Sequence, residues 1–146
     1  MAERPRPPRF NHVAMSVPAE LLDEVTRSEI LDFYAEVFGW QEAPGMTIDR
    51  ERLVLMAHRY DQFVFLVSDE NPMQAPRLDH WGQAVSSRDE LDELYERARR
   101  YRDKDDRVDI IDLHADSYPG VTIHAFYVRF LLPLMLETQY FEWDPA

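Results

Sequence analysis

Two histidines and one glutamate are the residues of this chain best placed to do chemistry. His12 stands in Asn11-His12-Val13-Ala14-Met15-Ser16-Val17, and His80 in Asp79-His80-Trp81-Gly82-Gln83-Ala84-Val85; each stretch is a short polar residue, a histidine and an apolar-rich run ending in valine. The histidines lie 68 residues apart in a chain of 146, so the stretches read as two copies of one unit. If the copies pair about a pseudo-two-fold axis, the starts of their first strands meet and bring both imidazoles into one site. Glu137 follows the apolar run Leu131 to Leu136, where a buried carboxylate is costly unless it is paired, hydrogen-bonded or coordinated. Structural readings stand beside these. A histidine at a strand start is commonly a hydrogen-bonded framework residue, and alternation can turn a strand glutamate to solvent.

Composition narrows the chemistry. There is no cysteine, so disulfides and thiolate metal sites are excluded, and any metal must use His, Asp, Glu or water. A formal charge of −12 disfavours nucleic acid and anionic membrane as partners and suits a solvated surface. No run of about 18 apolar residues and no signal-type apolar region is present. A soluble, cytoplasmic protein is expected. With 45% hydrophobic residues the chain can build one ordinary core.

The elements that must position these side chains follow from periodicity. Met1 to Pro8 carries three prolines and two arginines and is expected to be a flexible arm before a single domain over residues 9–146. Phe10 to Val17 has the composition of a buried strand stopped by Pro18. Ile30, Phe33, Tyr34, Val37 and Phe38 keep helical spacing, which predicts a helix over Glu29 to Phe38 with Ser28 as its cap and Gly39 as its stop. Met46 to Ile48, Leu53 to His58 and Gln62 to Val67 are predicted strands, completing a first module over residues 9–69. A linker follows at 70–77. The second module, 78–143, opens with a strand at Leu78 to Val85 and a capping box at Ser87 to Glu90, followed by a helix carrying Leu91, Leu94, Tyr95 and Ala98. Val108 to His114, Thr122 to Arg129 and Leu134 to Phe141 are its remaining strands. Two βαβββ units result, an α+β chain.

In order and spacing these pieces resemble the vicinal oxygen chelate superfamily, which includes glyoxalase I, type I extradiol dioxygenases, methylmalonyl-CoA epimerase and the fosfomycin and bleomycin resistance proteins. The resemblance spans Arg9 to Trp143. Its carriers are Asn11-His12-Val13-Ala14-Met15, Asp32-Phe33-Tyr34-Ala35-Glu36-Val37-Phe38-Gly39, Asp79-His80-Trp81, and Phe126-Tyr127-Val128-Arg129 followed by Leu136-Glu137. It implies two modules pairing into a curved mixed sheet that encloses a cleft, and metal ligands at His12, His80 and Glu137. The fourth ligand position of that family falls near Phe65 or Leu66, neither of which binds metal. Two imidazoles and a carboxylate with open positions suit Fe(II) and also admit Mn(II) or Zn(II). Tyr127 matches the tyrosine that assists catechol binding in extradiol dioxygenases, with plain aromatic packing as its other reading.

The resemblance is incomplete in two places. The base histidine of the extradiol group falls at Phe65, and the usual Asp-Pro-Asp-Gly turn is replaced by the apolar Phe130-Leu131-Leu132-Pro133, expected to line a pocket or an oligomer contact. His58 and His114 sit at predicted strand ends, where surface histidines are the ordinary case and support of a site or acid/base work is the other reading. Two functions remain. One is a metal-dependent enzyme, dioxygenation favoured over lyase or isomerase chemistry, acting on a small substrate that chelates the metal through neighbouring oxygens. The other is a metal-free sequestration protein of the bleomycin-resistance kind, using Trp40, Trp81, Tyr127 and Trp143 around a cation or flat ring. The apolar last strand and Trp143 suggest a homodimer.

Overall fold

The computed structural model describes residues 2–146; of the expected arm, Met1 lies outside these and residues 2–8 have no regular structure. In the first half, β1 (His12–Val17) runs parallel to β4 (Phe63–Ser68), which pairs antiparallel with β3 (Arg52–Met56). A two-residue β2 (Gln41–Glu42) completes the order β1-β4-β3-β2. The second half repeats this with β5 (His80–Ala84), β6 (Asp109–Tyr118), β7 (Val121–Arg129) and β8 (Met135–Trp143), in the order β5-β8-β7-β6. Each half carries one helix, α1 (Glu24–Phe38) and α2 (Arg88–Lys104). The chain is therefore α+β, two βαβββ units forming two four-stranded mixed sheets, with β1 and β5 each at a sheet edge. No helix is long and apolar enough to cross a membrane among the described residues.

Several boundaries differ from the sequence expectation. α1 starts at Glu24, five residues before Glu29, because Asp23 rather than Ser28 caps it, its carboxylate accepting from the Thr26 amide at 2.8 Å. Gly39 ends the helix as expected, in the left-handed conformation at φ 74°. Met46 to Ile48 is not a strand: Ile48 makes one isolated bridge to Arg52, and Gln41–Glu42 takes the place beside β3. β6 does not stop at His114. It continues to Tyr118, with a register irregularity between Ile111 and His114.

The helices cover one face of each sheet, and alternation decides which side chains they bury. Leu53, Leu55, Val64 and Leu66 of the first sheet, and Phe126, Val128 and Leu136 of the second, belong to a common core. The helices also join the halves. Phe33 of α1 meets the Tyr101 ring of α2 edge-on at 5.0 Å, while the Tyr101 hydroxyl donates to Asp32 at 2.8 Å. Lys104 donates to Glu36, and Arg107 to Glu29. Phe130 and Leu132, from the apolar connection before β8, are buried in this core, with Phe130 4.8 Å from the Phe33 ring. Phe130 and Leu132 thus tie the halves together from within, while Leu131 and Pro133 beside them stay partly exposed.

The capping box of α2 forms as expected. Ser87 Oγ accepts from the Glu90 amide at 3.1 Å, and Glu90 Oε2 accepts from the Ser86 amide at 3.1 Å. Ser87→Ala leaves the Glu90 amide without its side-chain acceptor and is expected to lower stability by about 1 kcal/mol. A urea titration followed by circular dichroism reads this as a lower midpoint at unchanged slope.

Candidate active site

The helix-free face of the second sheet gathers four polar side chains in one row. Tyr127 of β7 and Glu137 of β8 are direct cross-strand partners, and Glu137 faces Gly82 of β5. His80 precedes Gly82 by two residues and so shares its face, with Nε2 3.7 Å from Glu137 Oε1. The His80 ring meets Tyr127 edge-on, centroids 5.0 Å apart. On the other side of Tyr127, His114 of β6 lies parallel to its ring at 5.9 Å.

Local structure fixes the state of each group. The second His80 nitrogen, Nδ1, lies 2.8 Å from the Leu78 carbonyl, which can only accept, so Nδ1 holds the proton and Nε2 is left as a lone-pair donor. Glu137 is 9% exposed, yet no Lys or Arg pairs with it and its neighbouring basic group is that imidazole. Burial, and then the hydrogen bond to and charge of Glu137, push the Tyr127 hydroxyl up to about 12. Tyr127 therefore stays protonated at neutral pH and donates. The cost of burying Glu137 is the reason the apolar run stops here, and the fold bears that cost at a position open to ligand.

His12 lies elsewhere. Its Nδ1 is 2.7 Å from Asn11 Oδ1, and its ring stacks on Phe63 at 4.8 Å and 4°. It lines an apolar concavity of about 530 Å³ on the helix-free face of the first sheet, with Ala14, Met56, Tyr60, Phe63 and Phe65. Phe65 thus occupies that face where the resemblance places a fourth ligand, whereas Leu66 points into the core. Among the described residues of one chain, no three His, Asp or Glu side chains are arranged to hold a metal.

A divalent ion still suits the second-sheet pair. Two donors each about 2.1 Å from a common ion at a tetrahedral angle lie about 3.4 Å apart, close to the observed 3.7 Å. His80 is oriented by a backbone carbonyl in the manner of a metal-binding imidazole, and Glu137 is held by Tyr127. One chain supplies two donors of a set that needs at least three.

The four aromatics expected to form a cation cage are dispersed. Trp40 and Trp81 line a cleft of about 520 Å³ between the halves, Tyr127 belongs to the row just described, and Trp143 is exposed near the end of β8. His114, for which the sequence favours a plain surface position, stands in this row. Its signal was faint, since only the extension of β6 through the irregularity before His114 turns it toward Tyr127.

The sequence matches no family model and no curated protein. Solved structures are similar across nearly the whole chain. Lactoylglutathione lyase from Agrobacterium tumefaciens superposes with a TM-score of 0.60 at 16% identity, over 92% of this chain and 95% of that one. A glyoxalase/bleomycin resistance protein/dioxygenase from Alicyclobacillus acidocaldarius gives 0.59 at 19% identity, over 91% of each. The genomically encoded fosfomycin resistance protein from Listeria monocytogenes gives 0.57 at 12% identity, over 89% of each. The fold of this chain is that of the vicinal oxygen chelate proteins.

Proposed function

We propose that the chain is a metal-dependent enzyme of the glyoxalase and extradiol dioxygenase type, active as a homodimer, on a small substrate with two neighbouring oxygens. The observation that carries this reading is the buried Glu137 carboxylate beside the lone pair of His80 Nε2 at 3.7 Å, with no Lys or Arg paired to it. His80 and Glu137 of one copy and His12 of a second would hold the ion. Fe(II) suits this donor set best, with Mn(II) or Zn(II) also accommodated. When bound, the metal supplies Lewis acidity and, if iron, a place for O₂ beside the substrate.

Sharing the site between copies is supported by what one chain leaves uncovered. β1 and β5, which carry the two histidines, are both edge strands. Both helix-free faces expose large apolar groups: Met46 and Tyr60 beside the first sheet, Tyr118, Phe141 and Trp143 on the second. Setting the first-half sheet of one copy beside the second-half sheet of another covers both and unites apolar and polar walls in one cleft. The apolar wall, with Phe63 and Phe65, then holds a flat or hydrophobic substrate body, while the Tyr127 hydroxyl exchanges its bond to Glu137 for one to a substrate oxygen. Dioxygenation is the favoured chemistry, because three protein donors leave room for both substrate and O₂.

Mixing tests metal binding and sharing together. Protein purified without chelator is expected to hold one Fe, Mn or Zn per chain, and His12→Ala and His80→Ala variants are each expected to lose it. When the two variants are unfolded together and refolded, random pairing places one intact site in each mixed dimer and restores about a quarter of the wild-type metal. No restoration would show that the donors come from one chain. Wild-type protein free of metal that still binds small aromatic cations would favour sequestration instead.

A further inference from the structure

We propose that His114 is the proton acceptor of this site, taking the proton of a substrate hydroxyl bound beside Tyr127 and Glu137. The inference rests on the reading of that face as a metal-dependent active site, and it names a residue which that reading does not require. A substrate that chelates through two oxygens binds more strongly once one hydroxyl has lost its proton, so the site needs a base. Phe65, where the resemblance places one, has no basic atom.

His114 has the position and the state for this role. The irregularity between Ile111 and His114 puts it opposite Ala125, two pairs along from the Tyr127 and Glu137 pairing and so on the same helix-free face. Its ring lies parallel to Tyr127 at 5.9 Å and 1°. Nδ1 is 2.9 Å from the backbone carbonyl of Asp112, so that nitrogen carries the hydrogen and Nε2 carries the lone pair. The Asp116 carboxylate lies 3.7 Å from Nε2, close enough to favour the imidazolium once formed. The side chain is 35% exposed, open to a ligand on that face. A histidine held only for packing needs none of these three arrangements.

The step is a simple transfer. The substrate O–H bond breaks, its proton bonds to His114 Nε2, and the oxygen keeps the electron pair. The charged and titratable groups facing His114 are Asp116 and Tyr118 on its own strand, Tyr127 on β7 and, beyond Tyr127, Glu137 on β8; the Asp112 carboxylate is engaged by the Tyr95 hydroxyl of α2 at 2.8 Å. None of these groups is cationic.

Proton counting distinguishes this role from a structural one and needs no turnover. Binding of catechol, which carries both hydroxyl protons at neutral pH, to the metal-supplied full-length protein under anaerobic conditions is measured by titration calorimetry in buffers of different ionisation enthalpy. In the wild type, the proton leaving the probe is retained on His114. In His114→Gln it is released to buffer, so net proton release is expected to rise by about one per site. Equal proton release in both proteins, each binding the probe, would overturn the role of His114 and leave the metal site intact. Failure of the wild type to bind the probe would overturn the metal-site reading and this inference with it. Should His114→Gln not fold, Asp116→Asn is read in the same way, since loss of the carboxylate weakens the imidazolium and is expected to raise proton release in part; no rise would count against the proposal.

Discussion

Glu137→Gln is expected to lower divalent-metal affinity by more than about 100-fold while leaving the fold intact. Substitutions of residues that merely support metal ligands cost about 10- to 100-fold, and Glu137 is assigned as a ligand itself. Glutamine has nearly the same shape, and its carbonyl oxygen can still accept from the Tyr127 hydroxyl, so the substitution removes charge and little else. With this acidic neighbour neutralised, Tyr127 is also expected to titrate lower than about 12, though burial keeps it above the ordinary tyrosine range. The fold has little reason to resist the change, since a 9% exposed carboxylate with no Lys or Arg beside it is a cost to folding. Metal-free Glu137→Gln should therefore be as stable as metal-free wild type or somewhat more so. Elemental analysis and competition with a chelator measure the first effect, and urea unfolding of both metal-free proteins the second. Wild-type metal affinity in Glu137→Gln would remove this residue from the ligand set.

Phe130→Ala is expected to cost about 3 to 5 kcal/mol, the range for truncating a fully buried aromatic. Against the 5 to 15 kcal/mol that holds a typical domain together, this is a large share. Phe130 has no exposed surface, and its ring touches groups from both halves: Phe33 at 4.8 Å, Tyr101 at 5.6 Å, and the Arg107 guanidinium at 5.3 Å. Neighbours anchored on two helices and a loop cannot easily collapse into the space left behind, which places the cost toward the upper end. Leu131 beside it takes φ 62°, a conformation that branched residues rarely adopt, and this tight path turns both Phe130 and Leu132 inward. A lowered urea midpoint is the expected readout, with the two halves unfolding together. A loss below 1 kcal/mol would mean that the helices alone hold the halves.

Much of this was legible before any coordinates, and the reasons differ from place to place. The repeat around His12 and His80, the helix stop at Gly39 and the cap at Ser87 are local signals that tertiary packing had no cause to overrule. Glu137 announced itself because a carboxylate at the end of an apolar run demands a partner. The start of α1 was missed because Asp23 and Ser28 are both good caps, and only the turn at Ala19–Leu22 decides between them. β6 was cut short because Asp116, Ser117 and Tyr118 have the composition of a turn; pairing with Ile123, Thr122 and Val121 overrides it. That extension is also what makes His114 a member of the site. The separation of His12 from His80 and Glu137 within one chain was beyond sequence reasoning, since a repeat shows that two units match and not which copies of them come together.

The aromatic and ionic clamp between α1 and α2 has a consequence for a dimer in which each copy lends one sheet to each of two clefts. Every chain is then a stiff lever with its two ends in different clefts, because Phe33, Tyr101 and Phe130 fix one sheet relative to the other. Closing one cleft around a substrate pulls on both levers and shifts the walls of the second, so the two binding events share a free energy and neither cleft fills independently.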